Sequence, residues 1–123
     1  MKSRSLPVAM NIKPREATAW KKRVPPIHYS AGQVLFYRGH LPYGIMIIHS
    51  GSADLRLRET DLKTHIRIGP NTVLGLPNVL KEQPYSRTAV VVEDLEASFI
   101  EKTLVSEWTK TRDADSLLKA LPS

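Results

Sequence analysis

The stretch from Gly69 to Ala89, Gly-Pro-Asn-Thr-Val-Leu-Gly-Leu-Pro-Asn-Val-Leu-Lys-Glu-Gln-Pro-Tyr-Ser-Arg-Thr-Ala, constrains this chain more than any other. A glycine turn leads into a helical segment of about one and a half turns. The chain then returns as a strand through Arg87-Thr88-Ala89. A helix N-terminus presents unpaired backbone N–H groups, and an arginine brought back beside it adds fixed positive charge. The N–H groups of Asn78 and Val79 and the guanidinium of Arg87 are therefore expected to converge on a pocket suited to a phosphate.

The chain has 123 residues, enough for one domain with a core of its own. Its 41% hydrophobic and 24% charged residues are those of an ordinary globular protein. With no cysteine, disulfides, zinc–thiolate sites and cysteine nucleophiles are excluded. The longest candidate apolar run, Ile45 to Ile48, has the length of a strand. No membrane span or signal-peptide core is read from it, and a cytoplasmic location is expected.

The net charge of +6 is unevenly placed. Residues 1–23 hold Lys2, Arg4, Lys13, Arg15, Lys21, Lys22 and Arg23 against Glu16 alone, while residues 24–123 carry eleven basic and eleven acidic residues and are neutral. Residues 1–23 thus read as a basic, partly disordered N-terminal arm, either simply solvated or docking on nucleic acid or an acidic partner. Pro7 and Pro14 interrupt it, so residues 1–14 are expected to be mobile and to add nothing to the core. Arg15 to Arg23, with Trp20, is expected to form a short helix.

From residue 24 to residue 123 the text is one domain of short strands separated by glycine turns. Gln33 to Arg38 and Tyr43 to His49 read as strands, the second buried on both faces through Ile45-Met46-Ile47-Ile48. Ser52 to Glu59 alternates, with Ala53, Leu55 and Leu57 on one side and Asp54, Arg56 and Arg58 on the solvated side. Gly51 is expected to link these two runs as a hairpin. His65 to Ile68, Thr88 to Val92 and Leu95 to Ile100 supply further strands. The fold class is mainly β, a small antiparallel β-roll or jelly-roll barrel with short flanking helices. Thr103 to Lys110 places Leu104, Val105 and Trp108 on one helical face, and Asp113 would cap a second short helix carrying Leu117, Leu118 and Leu121 before Pro122.

Residues 28 to about 121 resemble the cyclic-nucleotide-binding domain of catabolite-activator-type regulators, cyclic-nucleotide-dependent kinases and gated channels. The resemblance is carried by Leu35-Phe36-Tyr37-Arg38-Gly39, by Ile47 to Leu55 around Gly51, by Gly32, Gly39, Gly51 and Gly75 at the turns, and by Phe99-Ile100-Glu101-Lys102 before a helix. Gly69-Pro70-Asn71-Thr72-Val73-Leu74-Gly75 resembles the approach to that family's phosphate-binding cassette, with Asn71, which tolerates the left-handed conformation, in place of a glycine.

The resemblance implies a ligand site at Gly75, Leu76, Asn78, Val79, Arg87 and Thr88. The family places a glutamate after the cassette glycine to accept a hydrogen bond from the ribose 2′-hydroxyl, and this chain has Leu76 there. Pro77 also removes one backbone donor. Arg87 matches the arginine that pairs with the cyclic phosphate, and Thr88 its neighbour, although the spacing from Gly75 to Arg87 is slightly longer than usual. A stand-alone sensory or regulatory module with a degenerate cassette is expected, binding cyclic AMP and cyclic GMP weakly or not at all. A small anionic, phosphate-bearing ligand is the expected occupant, with no resident cofactor. The alternative is a protein-interaction module that has lost ligand binding. The family's long dimerising helix and DNA-binding output have no counterpart in the short C-terminal segment, so neither DNA binding nor dimerisation through it is expected.

The same barrel class includes metal-binding cupins, a lower alternative. His28, His40, His49 and His65 are never two residues apart, so no His-x-His cluster and no metal site is expected. Ser50 and Ser86 lack a glycine-flanked nucleophile elbow, and Asp113 and Asp115 read as helix-capping acids. No catalytic residue is assigned and no enzyme is expected.

Overall fold

The computed structural model describes residues 9–58 and 62–110. Seven strands, β1 (Ala9–Asn11), β2 (Ile27–Tyr29), β3 (Val34–Phe36), β4 (Gly44–Arg56), β5 (Ile66–Ile68), β6 (Thr72–Leu74) and β7 (Thr88–Glu101), form one antiparallel sheet. Three helices, α1 (Pro14–Arg23), α2 (Leu76–Leu80) and α3 (Lys102–Lys110), cover one of its faces. The sheet order is β1-β6-β4-β7-β2, with β3 added on β7 and β5 on β4. The candidate second helix beyond Asp113 lies outside the described residues.

The frame is a ribbon of two long strands. β4 pairs with β7 from Gly44↔Glu101 to Arg56↔Thr88, with register shifts between Ile48 and Ala53. The hairpin expected at Gly51 does not form. Gly51 takes φ +84°, and a Cβ there would meet the Asp94 carbonyl oxygen, so glycine lets the strand bend over its partner and continue. Thr88 to Val92 and Leu95 to Ile100 are joined into one strand at the same bend.

The apolar run of β4 divides its side chains between two cores. Met46 and Ile48 enter an interior cluster with Phe36, Leu55, Ile68 and Leu95, around which the sheet curls. Ile45 and Ile47 enter an outer cluster with Trp20 of α1, Leu76 and Val79 of α2 and Val105 of α3. A strand buried on both faces reads as a continuous apolar run for this reason.

Residues 9–23 are part of this structure, contrary to the expectation that residues 1–14 add nothing to the core. β1 pairs with β6, and Met10 and Ile12 are buried in the outer cluster. The basic residues of α1 stay exposed while Ala17 and Trp20 are buried. Trp20 meets Trp108 of α3 edge-on at 5.6 Å, and the Arg23 guanidinium lies 5.3 Å from the Trp20 ring centre. Among the described residues no helix is long and apolar enough to cross a membrane.

Candidate functional site

The cassette starts from two left-handed residues. Asn71 has φ +63° and Gly75 φ +89°, and between them β6 delivers the chain to α2. The first-turn N–H groups of such a helix have no acceptor inside it. The N–H of Val79 lies beyond that turn and makes the helix's own first bond, donating to the Gly75 carbonyl at 2.9 Å, so it is not free for a ligand. The side chain of Leu76 is wholly buried in the outer cluster and turns away from the barrel interior. Asn78 is 1% exposed. Its Nδ2 donates to the Pro84 carbonyl and its own carbonyl accepts from Gln83 N–H, so it fastens α2 to the loop that follows. Asn78 Oδ1 is buried without a hydrogen-bond partner among the described residues.

Arg87 and Thr88 meet a different set of groups. Arg87 Nη1 donates to the Thr64 carbonyl and, at 3.4 Å, to that of Leu55. Thr88 Oγ1 accepts from the backbone N–H of Arg38 at 3.0 Å, and Arg38 Nη1 donates to the Leu57 carbonyl at 3.1 Å. The structure therefore gathers Arg38, Arg87 and Thr88 around the end of β4. The side chains of Leu76 and Val79 belong to the outer core and that of Asn78 to the Pro84 loop.

Two neighbours of the cassette were missed by the sequence reading. Tyr85 stacks on Phe36, with ring centres 3.9 Å apart and planes 16° from parallel. Its edge lies against Gly75, where a Cβ would meet Cε1 at 3.0 Å. Burial pushes the Tyr85 hydroxyl up to about 12. Tyr85 stands two residues before Arg87, a spacing that in extended chain puts both on one side, and this was the available signal. Arg38 has only its place before the Gly39 turn to mark it.

Phe36 and Tyr85 also floor an open cleft of about 570 Å³ bordered by Tyr37, His40, Tyr43 and Phe99. Five of the chain's eight Phe, Tyr and Trp residues line it, which makes it its most aromatic surface. Tyr43 is 84% exposed there.

Several other ionisable groups have structural partners. Asp54, expected on the solvated side, is 9% exposed; it accepts from Arg67 Nε at 2.5 Å and lies 3.8 Å from Arg56. The bond to Asp54 raises the Arg67 pKa. Ser98 donates to the Val24 carbonyl, so His49 Nε2, 2.7 Å from Ser98 Oγ, carries a proton and donates to it. Burial, then Lys21, lowers the His49 pKa, and Glu96 opposes them. The four histidines have separate partners: Asp94 for His28, the Tyr37 ring for His40, Ser98 for His49 and the Arg58 carbonyl for His65.

A β-roll interrupted by one short helix after a left-handed glycine, with an arginine just before the returning strand, is the architecture of a β-roll ligand-binding class of domain. Residues 26–112 match the family model of the cyclic nucleotide-binding domain, and the chain belongs to that family. No curated protein matches the sequence. Solved structures share the fold. One, from work on a cyclic-GMP-dependent signalling pathway that regulates bacterial phytopathogenesis, has a TM-score of 0.73 at 18% identity over 89% of each chain. The N-terminal domain of a transcriptional regulator from Streptomyces coelicolor A3(2) gives 0.64 at 16% identity, over 89% of this chain and 78% of that one. The EAL enzyme Bd1971 in its cAMP-bound form gives 0.62 at 23% identity, and this chain covers only 27% of its length.

Proposed function

We propose that this protein is a regulatory module that responds to a small phosphate-bearing ligand through Arg87 and Thr88 and binds cyclic AMP and cyclic GMP weakly. One observation carries this reading. The residue after the cassette glycine, Leu76, offers no acceptor and is buried in the outer core. A ribose 2′-hydroxyl would find no carboxylate there, and losing a charged hydrogen bond costs roughly 1.5–3 kcal/mol, about ten- to over a hundredfold in affinity. Arg87 keeps a permanent charge whose described partners are backbone carbonyls, which a phosphate outcompetes as an acceptor. The structural neighbours include a cAMP-bound and a cGMP-bound form of Bd1971, which supports a phosphate-bearing ligand without naming it. The module acts as a sensor and not as an enzyme.

Calorimetry with millimolar cyclic AMP and cyclic GMP tests the reading and should give little heat; a low-micromolar Kd overturns it. Phosphate should stabilise the wild type more than chloride does at matched ionic strength, and Arg87→Ala should lose that difference. Sulfate and phosphate also stabilise proteins non-specifically, so the variant comparison decides.

A second reading, a protein-interaction module, is favoured by the aromatic cleft with its exposed Tyr37, Leu41 and Tyr43. Exposed aromatic clusters are common at interfaces. Loss of partner binding in Tyr43→Ala with anion binding intact would favour it.

A further inference from the structure

Two guanidinium groups are anchored on the same strand end. Arg38 follows β3 and Arg87 precedes β7, far apart in sequence, yet Arg38 Nη1 holds the Leu57 carbonyl and Arg87 Nη1, bound most closely to the Thr64 carbonyl, also reaches that of Leu55 at 3.4 Å. Leu55 and Leu57 are two residues apart, at most about 7 Å. The bond from Arg38 N–H to Thr88 Oγ1 ties the two segments together beside the anchors. Asp54, the carboxylate of β4, is already taken by Arg67 and Arg56. Backbone carbonyls are weak partners for a full positive charge, and each guanidinium carries five N–H donors, so donors remain for an anion.

We propose that Arg38 and Arg87 together grip a doubly charged group, a diphosphate or a terminal phosphomonoester, in preference to the singly charged cyclic phosphodiester. The proposal rests on the reading of Arg87 given above and adds Arg38 as the second cation that sets ligand class. One guanidinium balances one negative charge. Two, both reaching carbonyls at the same strand end, balance a dianion, and each offers it a bidentate pair of donors. Among the described residues Thr88 Oγ1 accepts from Arg38 and its own hydroxyl proton is not used, and that proton is a further donor to a phosphate oxygen.

Calorimetry on the full chain with sodium pyrophosphate, against cyclic AMP at the same ionic strength, tests this. Wild type should bind pyrophosphate at least tenfold more tightly than cyclic AMP, and Arg38→Ala should weaken pyrophosphate by about ten- to a hundredfold. If Arg38→Ala melts early, Arg38→Gln, which removes the charge and keeps the stem, takes its place with the same expectation. Pyrophosphate affinity unchanged in the Arg38 variant but lost in Arg87→Ala overturns the pair and leaves the reading of Arg87 standing. Wild type that ignores millimolar pyrophosphate also overturns the pair, and phosphate stabilisation lost in Arg87→Ala then reports on Arg87 separately. Low-micromolar binding of cyclic AMP overturns both.

Discussion

Tyr85 stacks on Phe36 at 3.9 Å and at the same time closes the space over Gly75, so one aromatic ring joins the interior core to the start of the cassette. Phe36 stands at the end of β3 and Tyr85 in the loop after α2, and neither is near the other in sequence. The loop that returns the chain to Arg87 is thereby pinned by a ring stack, with Gly39 N–H to the Tyr85 carbonyl and Tyr85 N–H to the His40 carbonyl on either side. The position of the arginine is a consequence of core packing.

Gly75 is the residue this arrangement tolerates least in any other form. Its φ of +89° costs an L-residue about 1–2 kcal/mol, and the added Cβ would press on Tyr85 at 3.0 Å. Gly75→Ala should lower Tm by roughly 5 °C or more. A melt that superposes on wild type would show that the cassette shifts freely, contrary to the pinning described.

Tyr85 should also mark the alkaline limit of the fold. An ordinary tyrosine ionises near 10, whereas burial holds this one up to about 12. Between those values the folded protein keeps a proton that the unfolded chain has released, so stability falls as pH rises through that window. Urea melts at pH 9 and pH 11 should show the loss, and Tyr85→Phe should reduce it. Tyr29, raised in the same direction by burial, accounts for a remainder. Equal pH slopes in both proteins would assign the effect elsewhere.

Truncation tests the part of the fold that the charge pattern hid. Deleting residues 1–12 removes β1 and the buried side chains of Met10 and Ile12. Burial of this kind is worth about 2–5 kcal/mol per large side chain, so Tm should drop by well over 10 °C and α1 should lose protection in hydrogen exchange. A shift of a degree or two would return these residues to the status of a dispensable arm.

The contrast between β1 and β4 shows what a sequence of this kind exposes. Ile45 to Ile48 is legible because a strand covered on both faces must be apolar at successive positions, and Asn71 because a left-handed residue in a glycine slot has few candidates. β1 is three residues among prolines and lysines, too short for a period, and only its pairing with β6 makes it a strand. Gly51 reads as a turn because a turn and a bend that continues both need positive φ; contact with the Asp94 carbonyl decides between them. At the cassette, the identities of Gly75, Leu76 and Arg87 were readable. Which way Leu76 faces, and which carbonyls Arg87 meets, are set by packing between elements far apart in sequence.

Leu76→Glu brings these points to one experiment. From the family resemblance alone, a glutamate there would restore the missing ribose acceptor and strengthen any weak binding of cyclic nucleotide. The structure predicts otherwise, because the side chain at this position is fully buried beside Val73 and Val79 in the outer cluster. A carboxylate there would be desolvated without a partner, and the cavity cost of losing the leucine adds to it; the loss should reach at least about 3 kcal/mol. Leu76→Glu should therefore melt well below wild type and still give little heat with cyclic AMP, while Leu76→Met, which conserves volume, should cost less than about 1.5 kcal/mol. A Leu76→Glu protein with wild-type Tm and newly tight cyclic AMP binding would show that α2 can rotate this position into the barrel. The absent glutamate would then be the sole defect of the cassette.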